Sequence, residues 1–318
     1  MRSTLFLSAV VFAFVLRVSA QSEEEGDRTE KQIRLHIATW NVNEQDPPSD
    51  MEELLGLKDN PIPDVVVVGF QEITMNPSQA FINNLFDDKW TRAMEIEMSK
   101  WGYEKMSTKR MVGVLLNVFV LLDHADDVKD ISTESVRTGF GGIYGNKGGV
   151  IVTMELYGSK MRFINSHLPA HDGKLQNRIE DYTWIVRNIR DTRNIDYSFW
   201  LGDLNFRLEN NYLTPETIRR RILKDDYESL LPKDELKNAM AQGTAFGQYS
   251  EQAIHFRPTF KMFPGQDDYN MKRRPAWTDR ILYMENAKLL PVKYTSLPSY
   301  RSSDHRPVVA QFLINMSV

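Results

Sequence analysis

Residues 64–70 (DVVVVGF) constrain this chain more than any other stretch. Four consecutive β-branched residues favour an extended backbone, and no polar side chain interrupts them before Gln71. The run reads as a strand buried on both faces. Other strand-like stretches are 33–40, 111–122, 149–156, 161–166, 197–201, 281–284, 288–294 and 307–314. Between them, 78–101 carries Phe81, Leu85, Trp90, Met94 and Met98 at near-helical spacing, with Ser78 as N-cap after Pro77. Further helices are expected over 174–190 (with Ile179, Trp184, Ile185 and Ile189 apolar), 214–226 and 233–241. Some strands follow one another directly, which favours mixed or antiparallel sheets over a purely wound βαβ fold. No linker rich in proline, glycine or serine divides residues 33–314, so one domain is expected.

Of the 318 residues, 42% are hydrophobic and 26% charged, which supplies a core and excludes disorder of the whole chain. Cysteine is absent, so disulfide scaffolds, thiolate zinc sites and cysteine nucleophiles are all excluded. Thirty-nine basic against 43 acidic residues leave a formal net charge of −4, which argues against a general nucleic-acid coat but not against a local basic pocket.

Residues 1–20 have the layout of a cleavable secretory signal peptide: Arg2, an apolar stretch over 5–16, and Val18-Ser19-Ala20 before Gln21. That stretch is short for ~30 Å of hydrocarbon. A buried N-terminal strand or an uncleaved anchor is the other reading. Residues 21–32 form an acidic, polar lead-in, and 33–318 the single domain. The expectation is a protein of the secretory pathway or the outside of the cell.

Polar residues stand where the apolar strands stop: Trp40-Asn41, Gln71-Glu72, Asn165-Ser166-His167, residues 200–207 (WLGDLNFR), and Ser303-Asp304-His305-Arg306 before the last strand. If the chain stays extended through 203–207, Asp203, Asn205 and Arg207 project to one side and Leu204 and Phe206 to the other. A carboxylate, an amide and a guanidinium gathered in this way can activate water, hold a phosphoryl oxygen and balance charge. Glu72 and Asn41 suit a sparse oxygen site for a hard cation such as Mg²⁺, which binds one or two carboxylates and substrate phosphate. Each element also has an ordinary reading: a solvated turn for Gln71-Glu72, a β-turn for Gly202-Asp203-Leu204-Asn205, and a capping pair for Asp304-His305.

The ordered set of motifs resembles the inositol polyphosphate 5-phosphatase family, within the deoxyribonuclease I-like (endonuclease-exonuclease-phosphatase) superfamily. The motifs are TWNVN at 39–43, FQEI at 70–73, GNKGGV at 145–150, NSHLPAH at 165–171, WLGDLNFR at 200–207, RPTFK at 257–261, KRRPAWTDRIL at 272–282 and SSDHRPV at 302–308. The resemblance implies a four-layer α/β sandwich, with two central mixed β-sheets flanked by helices and the site at one rim. It implies a Mg²⁺-dependent phosphomonoesterase acting on the 5-phosphate of phosphoinositide lipids or soluble inositol polyphosphates. Asn41 and Glu72 would hold the metal. Asp203 would be the base, Asn205 would support the transition state, and His305, oriented by Asp279, would meet the scissile phosphate. Asp304 would sit beside the metal or water. His167 and Asn146 would bind the reacting phosphate, Lys147 and Arg207 the substrate, and Lys261, Lys272 and Arg273 the neighbouring 4-phosphate.

The chain departs from the family pattern at Thr278, where cysteine is usual, at Phe260, where tyrosine is usual, and at Tyr144, Pro169 and Ile179. None of these removes a proposed reacting group. Ile73 and Met75 are candidates for peripheral membrane contact. A monomer with no adaptor module and no nucleic-acid partner is expected. The alternatives are a secreted nuclease or sphingomyelinase of the same superfamily, or an inactive phosphoinositide-binding module.

Overall fold

The computed structural model describes residues 30–73, 88–138, 147–191, 194–209 and 213–318. The strands in chain order are β1 (Glu30–Asn41), β2 (Val65–Gln71), β3 (Tyr103–Met111), β4 (Val114–Leu121), β5 (Val128–Arg137), β6 (Gly148–Leu156), β7 (Ser159–His167), β8 (Tyr197–Asp203), β9 (Asp279–Tyr283), β10 (Leu289–Ser296) and β11 (Val308–Ser317). The helices are α1 (Lys89–Lys100), α2 (Leu122–Ala125), α3 (Leu175–Asn188), α4 (Pro215–Ile222) and α5 (Glu235–Ala241). One sheet has the order β10-β11-β1-β2-β4-β3 and the other β5-β6-β7-β8-β9. β1 pairs with β2 in parallel and β7 with β8 in parallel. The other ladders are antiparallel.

The valines of β2 face two cores. Val65 and Val67 meet Val150, Phe163 and Phe199 of the second sheet, so the sheets pack face to face. Val66 and Val68 join Trp90, Met94 and Met98 of α1 on the outer side. Each such side chain contributes ~1.5–3 kcal/mol on burial. Behind the second sheet, Ile151, Ile164 and Trp200 pack with Tyr182 and Ile185 of α3 and with Leu236 and Ala239 of α5. The result is the expected four-layer helix–sheet–sheet–helix sandwich. Among the described residues, no helix is long and apolar enough to cross a membrane.

Three local expectations change. The strand expected over 111–122 is the second arm of a hairpin, because the chain turns at Val112-Gly113 between β3 and β4. β3 and β5, one edge strand of each sheet, carry charged and half-exposed side chains and so lack the apolar signature of central strands. The helix expected from 78 starts at Lys89 among the described residues, where Asp88 Oδ1 accepts the amides of Trp90 and Thr91 at 3.0 Å. Residues 78–87, with Ser78 and Phe81, lie outside the described set. So do the leader and the lead-in as far as residue 29.

Parallel pairing brings the C-terminal ends of β1 and β2 to one rim, and those of β7 and β8 likewise. Asn41 is level with Gln71, and His167 with Asp203, which in turn is level with Asp279. The sheets are tied beneath this rim. Gln71 donates to Asn165 Oδ1 at 2.7 Å, and Asn165 Nδ2 donates to the carbonyls of Phe70 at 3.1 Å and Leu115 at 2.7 Å.

Lower in β1, His36 is fully buried. Its Nε2 donates to the Leu54 carbonyl at 2.9 Å, and its Nδ1 faces the Gln311 amide nitrogen at 3.3 Å, which requires the neutral ring. Burial lowers its pKa from 6.5 to about 4, against the opposing pull of the Leu54 carbonyl and Asp59. The unfolded chain therefore takes up a proton here before the native one does. Stability falls as pH drops below about 6.5 and levels off near pH 4, a loss of about 3 kcal/mol from this residue. Urea unfolding at pH 7, 5.5 and 4.5 should show a flatter pH dependence for His36→Asn than for the parent. Equal slopes would contradict the assignment.

Candidate active site

Asp203 ends β8 and is buried. The preceding residue must be glycine: a Cβ on Gly202 (φ +140°) would lie 2.0 Å from the Ser166 carbonyl of the neighbouring parallel strand. Asp203 Oδ2 accepts a hydrogen bond from Asn41 Nδ2 at 3.0 Å and lies 3.3 Å from His167 Nε2 and 4.0 Å from His305 Nε2. Burial favours the protonated acid, but His167, His305 and Lys147 together hold the carboxyl well below the usual range. Asp203 is thus ionised at neutral pH.

The expected alternation does not continue past Asp203. The strand ends there, and Asn205 turns left-handed at φ +58°. The grouping is nonetheless achieved by this turn. Asp203 Oδ1 accepts the Asn205 amide at 3.2 Å, and Asn205 Nδ2 donates to the Leu168 carbonyl at 3.0 Å. Arg207 donates through Nε to the Asn205 carbonyl at 3.0 Å and through its guanidinium to the Asn205 side chain. Leu204 and Phe206 are buried on the α3 side, as the apolar positions require.

His305 Nδ1 lies 2.9 Å from Asp279 Oδ2. Burial alone would lower the His305 pKa, but the carboxylates of Asp279 and Asp203 outweigh it and raise the value to about 9. The ring is therefore an imidazolium at pH 7, with Nε2 turned towards Asp203. Sequence reasoning missed what holds Asp279: Oδ2 also accepts the hydroxyls of Thr259 at 2.5 Å and Thr278 at 2.9 Å. Thr278, which stands where the family pattern has cysteine, is a hydrogen-bond donor to Asp279, the partner of His305. The signal was a hydroxyl next to the carboxylate in sequence.

The same His167 Nε2 has Glu72 Oε1 at 3.7 Å and contacts the Lys147 ammonium. Burial, then Lys147, lowers the His167 pKa, against the pull of Asp203. Burial brings Lys147 down to about 8, although Asp203 and Glu72 raise it. Lys261 donates to Asp304 Oδ2 at 2.6 Å, so these two expected site residues are partners. Lys272 and Arg273 are exposed on the loop that returns to Lys261 through the Asn270 amide, which bonds to the Lys261 carbonyl at 2.8 Å. Asn146, Tyr144 and Met75 lie outside the described residues. Ile73 is not available for membrane contact: it is 7% exposed, packs in the outer core, and its amide bonds to the Gly113 carbonyl at 3.2 Å.

A second pair supports the loops behind the site and was also missed. Arg178 is fully buried and donates to Glu235 Oε2 at 2.6 Å and to the carbonyls of Pro169 at 3.1 Å and His171 at 3.0 Å. The same Glu235 oxygen accepts the Arg207 amide at 2.9 Å. Arg178 gave no sequence signal, since one buried cation within an amphipathic helix looks like an exposed one.

Asp203, Asp279 and His305 form the tightest cluster of potential metal ligands among the described residues. Asp279 is poorly suited to bind a cation there, because its oxygens already serve His305, Thr259 and Thr278. Glu72 and Asp203, both within 4 Å of His167 Nε2, offer the hard oxygen donors that a divalent ion takes, while Asn41 turns its Nδ2 to Asp203 and its Oδ1 accepts the Asn43 amide at 3.1 Å, leaving that oxygen one free lone pair.

A family model described as Endonuclease/Exonuclease/phosphatase family 2 matches residues 38–311. The chain belongs to that family. Within it, the phosphatidylinositol 4,5-bisphosphate 5-phosphatase A of Mus musculus is 32% identical over 327 residues, covering 94% of this chain and 32% of the relative. Inositol polyphosphate 5-phosphatase K of Mus musculus is 32% identical over 313 residues, covering 90% of this chain and 66% of the relative. The chain thus spans about a third of the length of the first of these relatives. The crystal structure of the inositol polyphosphate 5-phosphatase domain of SPsynaptojanin, in complex with inositol (1,4)-bisphosphate and calcium ion, superposes with a TM-score of 0.83 at 29% identity, over 95% of this chain and 90% of that one. A Cimex nitrophorin ferrous NO complex also matches, with a TM-score of 0.75 at 26% identity, over 90% of this chain and 99% of that one. Since that scaffold is shared with a nitric oxide complex, function has to be argued from the site.

Replacing Asp279 with Asn removes the largest influence raising His305. The His305 pKa, followed by NMR in chelator, should fall from about 9 by at least one unit. An unchanged titration would contradict the pairing.

Proposed function

We propose that this family member is a Mg²⁺-dependent phosphomonoester hydrolase that removes the 5-phosphate of phosphatidylinositol 4,5-bisphosphate, phosphatidylinositol 3,4,5-trisphosphate or soluble inositol 1,4,5-trisphosphate. The observation that carries the reading is the opposition of an ionised, buried Asp203 to a His305 imidazolium fixed by Asp279. The substrate class is supported by the names of the relatives and by the inositol (1,4)-bisphosphate in the SPsynaptojanin complex, which is what 5-phosphate removal from the 1,4,5-trisphosphate leaves.

In this mechanism Asp203 accepts a hydrogen bond from the attacking water and then its proton. A carboxylate held so acidic is a weak base, so its first task is orientation. That suffices for phosphoryl transfer, whose loose transition state depends on positioning and charge stabilisation more than on a strong nucleophile. The His305 imidazolium donates to a phosphoryl oxygen and offsets charge as the new P–O bond forms and the bond to inositol breaks. His167 and Lys147 face the same phosphoryl group. Asn205, locked by Leu168 and Arg207, adds a polar contact to the transition state. Mg²⁺ held by Glu72 and Asn41 would supply Lewis-acid stabilisation of the leaving oxygen. Lys261, Lys272 and Arg273 provide cations for the 4-phosphate. Residues 1–20 act as a leader that routes the enzyme into the secretory pathway.

Phosphate release should be measured from 4,5-bisphosphate lipid vesicles and from soluble 1,4,5-trisphosphate, with Mg²⁺ and with chelator. Metal-dependent release from at least one is expected, and Asp203→Asn should lower kcat by about 10²–10³-fold while its circular dichroism spectrum shows the folded protein. Silence on both substrates, or DNA nicking or phosphocholine release that requires Asp203, would overturn the proposal.

A further inference from the structure

A groove of about 450 Å³ runs between the edge strands β3 and β5, outside the site described above. Lys109 of β3, Arg137 of β5, and Arg190 and Trp184 beyond and on α3 line it, together with Glu134. On a chain of net charge −4, this places three cations around one carboxylate. Glu134 offsets one of these charges without pairing directly with any of the three cations. Its two oxygens accept the backbone amides of Arg190 at 2.8 Å and Asp191 at 3.0 Å. The neighbouring acids are engaged elsewhere: Asp181 accepts the Thr138 hydroxyl at 2.5 Å, and Asp191 lies 3.9 Å from Arg162. None of Lys109, Arg137 and Arg190 forms an ion pair with a described residue.

Trp184 completes the surface. It is one of the apolar residues of the helix expected over 174–190, and it is 46% exposed. Its indole Nε1 donates to the Arg137 carbonyl at 3.1 Å, which fixes the ring across the end of β5. Exposing a large aromatic ring to water has an unfavourable hydration cost, whereas a tryptophan with a satisfied N–H suits the boundary between lipid and water.

One end of the groove, at Arg137, reaches the level of the catalytic rim, and Arg190, held at Glu134, lies three residues farther down β5. Arg137 is level with Gly148, Gly148 with His167, and His167 with Asp203. Three strand spacings put the Arg137 backbone roughly 14 Å from that of Asp203 on the same edge. Lys109 pairs with Leu116, which pairs with Gly69, two residues below the end of β2.

We propose that this groove is a docking surface for the headgroup layer of an anionic phospholipid membrane, independent of the scissile phosphate. The three cations meet lipid phosphates and carboxylates, Trp184 sits in the interface, and the catalytic rim is held against the bilayer. The effect on lipid turnover rests on the phosphatase reading. The docking itself does not, and is measured apart from it.

The full chain, its K109E/R190E variant and its K109Q/R190Q variant should be sedimented with vesicles of phosphatidylcholine alone and with 20% phosphatidylserine, without phosphoinositide. Turnover of soluble 1,4,5-trisphosphate should be measured in parallel. The parent is expected to bind the serine-containing vesicles more strongly than neutral ones and to lose the difference in high salt. Each cation near such a surface is worth roughly fivefold, so both variants should bind at least tenfold more weakly, with soluble turnover unchanged. Equal binding to both vesicle types by the parent, or unchanged binding by the variants, overturns the proposal. So does a loss confined to RNA or duplex DNA, which would assign the groove to nucleic acid. Docking as predicted without turnover of any substrate would support the groove and overturn the phosphatase reading.

Discussion

The parallel register of β7 and β8 is the constraint from which the site follows. It sets His167 level with Asp203, and the antiparallel ladder to β9 sets Asp279 on the same line. The strands can approach only because Gly202 lacks a Cβ that would otherwise meet the Ser166 carbonyl at 2.0 Å. A one-residue slip would turn these side chains to the opposite face of the sheet. The first sheet is then joined through Gln71 and Asn165, which carries Asn41 and Glu72 to the same rim. The chemistry is therefore a property of two sheets held in one register.

Charge balance is the second theme. Asp203 keeps its negative charge in a buried place because cationic and polar groups converge on it, and His305 keeps its positive charge because Asp279 and Asp203 face it. Asp279 is itself held by two threonine hydroxyls. Each buried charge has partners that make it affordable to leave water, so the groups are fixed before any substrate arrives.

The architecture was legible where burial imposes a repeating pattern. The β2 valines announced a doubly covered strand, and polar residues at strand ends announced the rim. The edge strands β3 and β5 were illegible because half-exposed edges need no apolar alternation. In the site, the motifs named residues that the fold brings together at one rim. The partners of those residues are long-range hydrogen bonds that local pattern does not encode: Thr259 to Asp279, Lys261 to Asp304, and Arg178 to Glu235. Ile73 illustrates the converse, since an apolar residue after a polar strand end looked available for membrane contact and is instead core. Trp184, read only as an apolar residue of its helix, lies on the surface.

The central claim is that water, oriented by Asp203 at this rim, attacks the phosphorus of an inositol 5-phosphate directly. Hydrolysis of inositol 1,4,5-trisphosphate in ¹⁸O-labelled water, followed by ³¹P NMR, tests this. The account predicts one ¹⁸O in the released phosphate, none in the inositol, and inositol 1,4-bisphosphate as the product. Label in the inositol hydroxyl, or loss of a phosphate other than the 5-phosphate, would contradict it.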